Sequence, residues 1–397
     1  MNILYFSPTN SVGGAELSLI DILKEANKHG YNCYVALPPP KRDDLIYMEM
    51  LKPYCKAISI VRPMRWHITD KQKCFIKMIN YFYNCYLSGW HVIPVIKLLR
   101  IIRKYDIDIV HTNTIMDIDS AIAAKLKGIP HVWHIREGIG LNRKAYVRFP
   151  FQQFPKLFRW VMDRLTYKII INSKYTASLA KQYFPNDKLE VIYNSLPDEW
   201  FVKKKTKHNT KSEFIIGIVA NITAIGKNHS LAIEVADIIN KKQLTLNIKF
   251  NFYGYLPTGK NPYYSGLKNK IKTLRLTDSV RFLGRKNPEE IYNTIDILFH
   301  PCDKEGFGRI FIEAMGKGIP VVAVHGGGAD ELIEDSRTGF KVSRDSPEDA
   351  VDKIIKLINN TSKYNQISQN SFEYSSTQFK SSEMWGKIRS CYDTVVS

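Results

Sequence analysis

The sequence has no Cys-x-x-Cys pair, no Gly-x-Gly-x-x-Gly after its first strand, no long uninterrupted apolar run, and too few acids to balance its bases. Each shortage removes a class of function. Six cysteines (Cys33, Cys55, Cys74, Cys85, Cys302 and Cys391) are scattered over 397 residues without metal-ligand spacing. That argues against a disulfide framework or zinc ribbon and suits buried thiols in a reducing cytoplasm. Without the dinucleotide fingerprint, the alternation of strands and helices does not read as a dehydrogenase. Met78–Ile96 lacks formal charges, but Asn80, Asn84, Ser88, Gly89, His91 and Pro94 interrupt it, so it is not read as a spanning helix. The opening MNILYFSPT passes from strand to turn without a cationic leader, unlike a signal peptide.

The charge imbalance is the first positive observation. Lys and Arg number 57 against 38 Asp and Glu, a formal net charge of +19. Such a chain asks for a polyanionic partner. No nucleic-acid recognition motif is visible, which leaves an anionic membrane surface. Basic residues are interleaved with aromatics in two stretches, Lys41–Lys104 (with Tyr81, Phe82, Tyr83, Tyr86 and Trp90) and Asn142–Lys168 (with Arg143, Lys144, Tyr146, Arg148, Phe149, Phe151 and Trp160). Such a mixture suits a surface at lipid headgroups. It equally suits a buried helix with a wet basic face.

The length leaves room for two cores, and the pattern repeats one plan twice. Asn2–Phe6, Tyr31–Leu37, Ala57–Val61, Asp106–His111, His131–Ile135 and Ile169–Asn172 read as strands, and Thr112–Thr114 as the cap of a helix through Lys127. Residues 1–195 form a first Rossmann-like domain, and the lysine-rich stretch 196–212 reads as a hinge. A second Rossmann-like domain, 213–375, follows with strands at Phe214–Ala220, Leu246–Tyr253, Ser279–Leu283, Ile295–Phe299 and Val321–Val324. A last helix spans residues 376–397, with Phe379, Trp385, Ile388 and Tyr392 on one face.

The most informative stretch is His300–Glu334, HPCDKEGFGRIFIEAMGKGIPVVAVHGGGADELIE. It reads as strand end, glycine turn, helix, strand and a second glycine turn opening another helix. Gly306 and Gly308 bracket Phe307, so backbone N–H groups of the turn and of the helix from Arg309 can approach a ligand closely. Two glycine-lined helix N-termini at the carboxyl ends of adjacent strands suit a phosphate-bearing ligand. Glu305 and Glu313 flank the first of them. Carboxylates beside an anion site need a reason, and vicinal hydroxyls of a sugar supply one. An activated sugar nucleotide, with one glutamate for a ribose and one for a hexose, accounts for both.

EGFGRIFIE with AMGKGIPVVA and GGGADELIEDSRTGF resembles the E-x7-E signature of the retaining glycosyltransferases of family 4, which have the GT-B fold. The resemblance implies two Rossmann-like domains facing across a cleft, with the last helix crossing back to the first. It implies Glu313 on the ribose and Glu305 on the transferred hexose of a nucleoside-diphosphate sugar. Gly306, Phe307, Gly308, Arg309 and Ile310 would complete the donor site. Lys227 matches the family's diphosphate lysine, whereas Asn221 stands about where an arginine is expected; Arg309 and Arg285 are candidate replacements. Gly13 and Gly14, in the turn Ser11–Glu16, match the family's loop beside diphosphate and acceptor. His134 matches its donor-contacting histidine, with Arg136 and Glu137 beside it toward acceptor or phosphate. The expected acceptor is a growing, lipid-linked glycan, and no cofactor or metal is implied.

Three readings compete. The triplets Asp106–Asp108 and Asp117–Asp119 match the metal-binding D-x-D of GT-A transferases, but read as turn and cap residues. Asn221 motivates a GT-B protein that binds a sugar nucleotide or lipid without turnover. A transferase with a soluble acceptor is the third.

Overall fold

The computed structural model describes residues 1–40, 45–63, 92–139, 154–204, 213–222, 225–243 and 246–396. Both aromatic runs, Tyr81–Trp90 and Tyr146–Phe151, lie outside the described residues, as do Arg143, Lys144 and Arg148. The chain divides into two compact units, Met1–Ser195 with Ser381–Ser397, and Leu196–Lys380.

In the first unit the described residues form a parallel sheet of order β3-β2-β1-β4-β5-β6-β7. Its strands are β1 (Asn2–Phe6), β2 (Asn32–Leu37), β3 (Ala57–Ile60), β4 (Ile109–Asn113), β5 (His131–Ile135), β6 (Lys168–Ile171) and β7 (Leu189–Val191). Ile3, Leu4, Tyr5 and Phe6 are fully buried on both faces, as an apolar run in the middle of a parallel sheet must be. β1 pairs with β2 through Ile3↔Cys33 and with β4 through Ile3↔Ile109. The strand order reverses there, and the crevice at the carboxyl ends of β1 and β4 is where such sheets take ligands.

The second unit repeats the plan as β10-β9-β8-β11-β12-β13. Its strands are β8 (Glu213–Val219), β9 (Asn247–Tyr253), β10 (Val280–Gly284), β11 (Ile297–His300), β12 (Val321–Val324) and β13 (Gly339–Val342). The reversal falls between β8 and β11, paired through Leu298↔Gly217. Both sheets are Rossmann-like.

Two local expectations are corrected here, the helix cap and the hinge, while the acidic triplets take structural places. Thr112 and Asn113 belong to β4, and the helix starts after Ile118, with the carboxylate of Asp117 accepting from the N–H groups of Asp119 at 3.2 Å and Ser120 at 3.0 Å. In the other triplet, Asp108 Oδ2 accepts from the N–H of Asn2 at 2.7 Å, and the pair pins the start of β1. The first part of the expected hinge is packed into the second unit. Leu196 N–H donates to Phe379 O at 2.9 Å, Lys204 N–H to Lys317 O at 2.9 Å, and Trp200 Nε1 to Glu313 O at 3.0 Å. Residues 205–212 lie outside the described residues.

The second unit also extends past residue 375. The helix Thr361–Gln378 is tied to it by Tyr364 donating to Asp296 O at 2.8 Å and Ser375 to Ile312 O at 3.2 Å. The last helix therefore starts at Ser381 and runs to Val396. It lays Met384, Trp385, Ile388, Cys391 and Tyr392 into the core of the first unit beside Ile3, Tyr5, Leu19 and Leu23. Among the described residues no helix is long and apolar enough to cross a membrane.

Candidate functional site

Strand β8 feeds a short helical turn, Ile225–Lys227, and β11 feeds the loop ending at Arg309. Because β8 and β11 are neighbours at the reversal point, these two connections meet. Lys227 Nζ lies 2.5 Å from Glu305 Oε2, and the buried His300 brings Nε2 to 3.4 Å from the same oxygen. Burial works against both charges, but the pair outweighs it. The Lys227 charge holds the Glu305 carboxyl well below the usual carboxylate range, and Glu305 raises Lys227. Burial pushes His300 down, so that ring is neutral at pH 7. Cys302, also buried, donates its thiol to Gly226 O at 3.1 Å and accepts from Lys304 N–H at 3.5 Å.

Gly308 has φ +85°, and a β-carbon there would meet the Phe311 ring at 2.4 Å and Glu305 Cγ at 3.1 Å. Glycine therefore turns the chain sharply into the helix Arg309–Met315. Five residues into that helix, Glu313 is buried and gripped from two sides. Tyr292 donates to its Oε2 at 2.8 Å and Arg309 Nε to its Oε1 at 2.9 Å. Tyr292 also reaches Ile310 O at 3.3 Å. Phe307 is buried, whereas Arg309 and Ile310 are half-buried.

The second glycine turn differs from its expected role. Added β-carbons at Gly326, Gly327 and Gly328 would lie 2.5, 2.2 and 2.0 Å from the carbonyl oxygens of Asp303, Glu305 and Phe307. Gly328 N–H also donates to Glu305 O at 2.7 Å. The triple glycine is the surface against which the Glu305 loop is laid, and the helix it opens, Gly328–Leu332, is a single short turn.

Asn221, at the carboxyl end of β8, accepts from Tyr255 N–H through its side-chain oxygen at 2.9 Å, which staples the ends of β8 and β9 together. Arg285 is exposed just beyond β10.

In the first unit, Gly13 and Gly14 open the helix Gly14–Lys28 after β1. Asn113, at the end of β4, donates to Ala15 O at 3.2 Å and accepts from Arg136 Nε at 2.8 Å. The Arg136 guanidinium also bonds Asn194. His134 is 1% exposed, its ring centroid 5.4 Å from that of His111, and its Nε2 has no hydrogen-bond partner. Burial, then Arg136 and His111, push it well below the usual histidine value, so it is neutral. Glu137 Oε2 accepts from the N–H groups of Ile115 and Arg136, and burial raises its carboxyl.

Sequence reasoning missed Tyr292, Trp200 and the grouping of His300 and Cys302 with Glu305. The His-x-Cys-x-x-Glu spacing was on the page for the last; nothing in the sequence signalled the first two.

The family model for glycosyl transferases group 1 matches residues 198–374, and that for glycosyltransferase family 4 matches residues 12–200. The chain is 25% identical over 218 residues to N-acetyl-alpha-D-glucosaminyl L-malate synthase of Bacillus anthracis, covering 53% of this chain and 54% of that one. It is 28% identical over 247 residues to the capsular polysaccharide biosynthesis glycosyltransferase CapM of Staphylococcus aureus, covering 59% and 60%. The chain thus spans between about half and three fifths of the length of these two relatives. The structure of Anabaena HepE in complex with UDP-glucose matches with TM-score 0.79 at 21% identity, over 99% of this chain and 100% of that one. With two parallel α/β sheets of this order and both family models aligned end to end, the chain belongs to the family 4 glycosyltransferases of GT-B type.

Proposed function

We propose that this protein is a retaining, metal-independent hexosyltransferase that moves a sugar from a nucleoside-diphosphate donor onto a growing, lipid-linked glycan. The observation that carries the reading is the 2.5 Å pair of Lys227 and Glu305 beside the glycine turn, with Glu313 gripped eight residues on. Lys227 and the backbone N–H groups of the turn hold the donor diphosphate. Both Lys227 and His300 approach Oε2 of Glu305, which leaves Oε1 to accept from a hexose hydroxyl. Glu313 takes the ribose diol. The leaving diphosphate oxygen receives the acceptor's proton on the face it departs from, so the product keeps the donor's anomeric configuration. His134, neutral and with Nε2 unpartnered, donates to or accepts from a sugar hydroxyl. Arg136 and Glu137 stand at the acceptor side.

HepE, solved with UDP-glucose, favours a UDP-hexose, and CapM favours a surface polysaccharide as product. A panel of UDP-, GDP- and ADP-sugars, scored by donor hydrolysis and by product anomer with and without chelator, tests the reading. Binding of every sugar nucleotide without turnover or hydrolysis would support the non-catalytic alternative instead.

A peripheral seat on the inner, anionic face of the plasma membrane accompanies this reading. The helix Pro155–Leu165 buries Phe158 and Met162 while Phe154, Leu157 and Trp160 are 57%, 47% and 54% exposed. Exposed Lys156, Arg159 and Arg164 flank them, Arg164 lying 4.0 Å over the Trp160 ring. An exposed apolar ridge among cations suits anionic headgroups, each base contributing about 1 kcal/mol. Cosedimentation with anionic but not neutral vesicles, weakened in R159E/R164E and by salt, checks it. Equal binding to both vesicles, or to neither, would favour a soluble acceptor.

A further inference from the structure

His300, Cys302 and Glu305 leave β11 within six residues and turn their side chains to one point. One ligand atom from each, a ring nitrogen, Sγ and a carboxylate oxygen, lies within 4.8 Å of the others. His300 is 1% exposed, and neither of its ring nitrogens has a hydrogen-bond partner. A buried imidazole so placed, 3.4 Å from a carboxylate and not bonded to it, carries unused ligand capacity.

We propose that these three side chains bind one soft divalent cation, zinc by its ligand set, and that occupancy closes the donor site. Thiolate, imidazole and carboxylate together suit zinc and disfavour magnesium or calcium. Tetrahedral zinc needs its ligand atoms roughly 3.3–3.7 Å apart, so a side-chain shift of about an ångström brings the three into range. Lys304 N–H already points at the sulfur that would carry charge. Binding displaces the Cys302 proton to solvent and breaks its bond to Gly226 O. Ion, thiolate and carboxylate sum to zero charge, and Lys227, one third exposed, turns away from Glu305. The metal site rests on geometry alone. Its inhibitory effect rests on the proposed role of Glu305 in sugar transfer.

Cobalt(II) is the probe, titrated into the full-length protein under reducing conditions. The wild type should take up one equivalent with a thiolate-to-cobalt charge-transfer band, tightening as pH rises. C302S should lose the band and bind zinc at least about tenfold more weakly, and H300N should weaken it likewise. Zinc should inhibit wild-type turnover reversibly, with chelator restoring it, and should leave C302S uninhibited. Equal metal binding by wild type and C302S, or no saturable binding by either, would remove the site whatever the activity. A Cys302-dependent cobalt band in a protein that turns over no donor would keep the site and remove the reading of Glu305.

Discussion

Tyr292 and Glu313, on different helices and 21 residues apart, share a buried hydrogen bond of 2.8 Å, with the phenol donating to Oε2. Arg309 holds the other carboxylate oxygen, so both oxygens of Glu313 have fixed directions before any ligand arrives. Burial, reinforced by the Glu313 charge, raises the Tyr292 phenol well above its ordinary value, so the donor is never lost in the working pH range.

Tyr292→Phe should therefore act on donor affinity rather than on the chemical step. A hydrogen bond to a charged group contributes about 1.5–3 kcal/mol. Part of that returns when Glu313 relaxes onto Arg309, leaving roughly a tenfold loss. The expected outcome is a KM for the donor about tenfold higher with kcat nearly unchanged, and a similarly weakened titration of free nucleoside diphosphate. A fall in kcat at constant KM would place Glu313 nearer the reacting atoms than the ribose.

Glu313→Gln and Glu305→Gln should separate binding from turnover. The first should weaken nucleoside-diphosphate binding about ten- to a hundredfold, the size of a lost charge-assisted bond. The second should leave that affinity within a few fold and depress kcat. Calorimetric titration with the diphosphate, beside steady-state transfer, gives both readings. If Glu313→Gln bound the diphosphate as the wild type does, the ribose lies elsewhere.

The same Glu305→Gln variant makes a pH prediction. The folded-state pKa of Glu305 is depressed by Lys227, so its stabilising effect is present above the unfolded value of about 4.3 and lost as pH falls through the depressed one. Lys227, raised, keeps its proton to high pH. The stability gap between wild type and variant should stay level from about pH 8 to pH 5 and narrow below about pH 4.3. Urea unfolding at three pH values measures it. A gap that closed near neutrality would mean that the pair contributes little.

Gly328→Ala should disable the site from behind. The added methyl would sit 2.0 Å from Phe307 O, a backbone atom that cannot step aside without moving the Glu305 loop. Overpacking of this kind costs about 1–3 kcal/mol. A lowered melting temperature should accompany at least a tenfold loss of donor binding. Gly226→Ala is the control, since a β-carbon there meets nothing within 4 Å.

The sequence carried the strands well because their buried runs are continuous: Ile297–His300 and Val321–Val324 need no tertiary information to be recognised. It drew attention to Glu305 and Glu313 through the glycine turns they flank, and to Lys227 through the family resemblance. What it hid depends on register. That Lys227 faces Glu305 follows from β8 lying against β11, a pairing between strands about 80 residues apart. Asn221 stands where the resemblance expects an arginine, and only the register of β8 against β9 brings Tyr255 N–H to its side-chain oxygen. Leu196–Ser212 looked like a hinge because much of it is polar and lysine-rich. Trp200, the residue that packs its first part down, touches Tyr292 with ring centroids 5.8 Å apart and carries Lys317 at 4.4 Å over its face.

The last helix has a consequence for synthesis. Met384, Trp385, Ile388 and Tyr392 complete a core whose other walls, Ile3, Tyr5, Leu19 and Leu23, leave the ribosome more than 350 residues earlier. Nascent chains usually settle their amino-terminal half first. Here that half must wait with an open apolar seam and an unpartnered His111 until Tyr392 arrives, while Leu196–Lys380 can finish in between. The order of translation and the order of completion run opposite ways, so a chain cut short just after residue 380 holds the whole of the second unit and an unsealed first one.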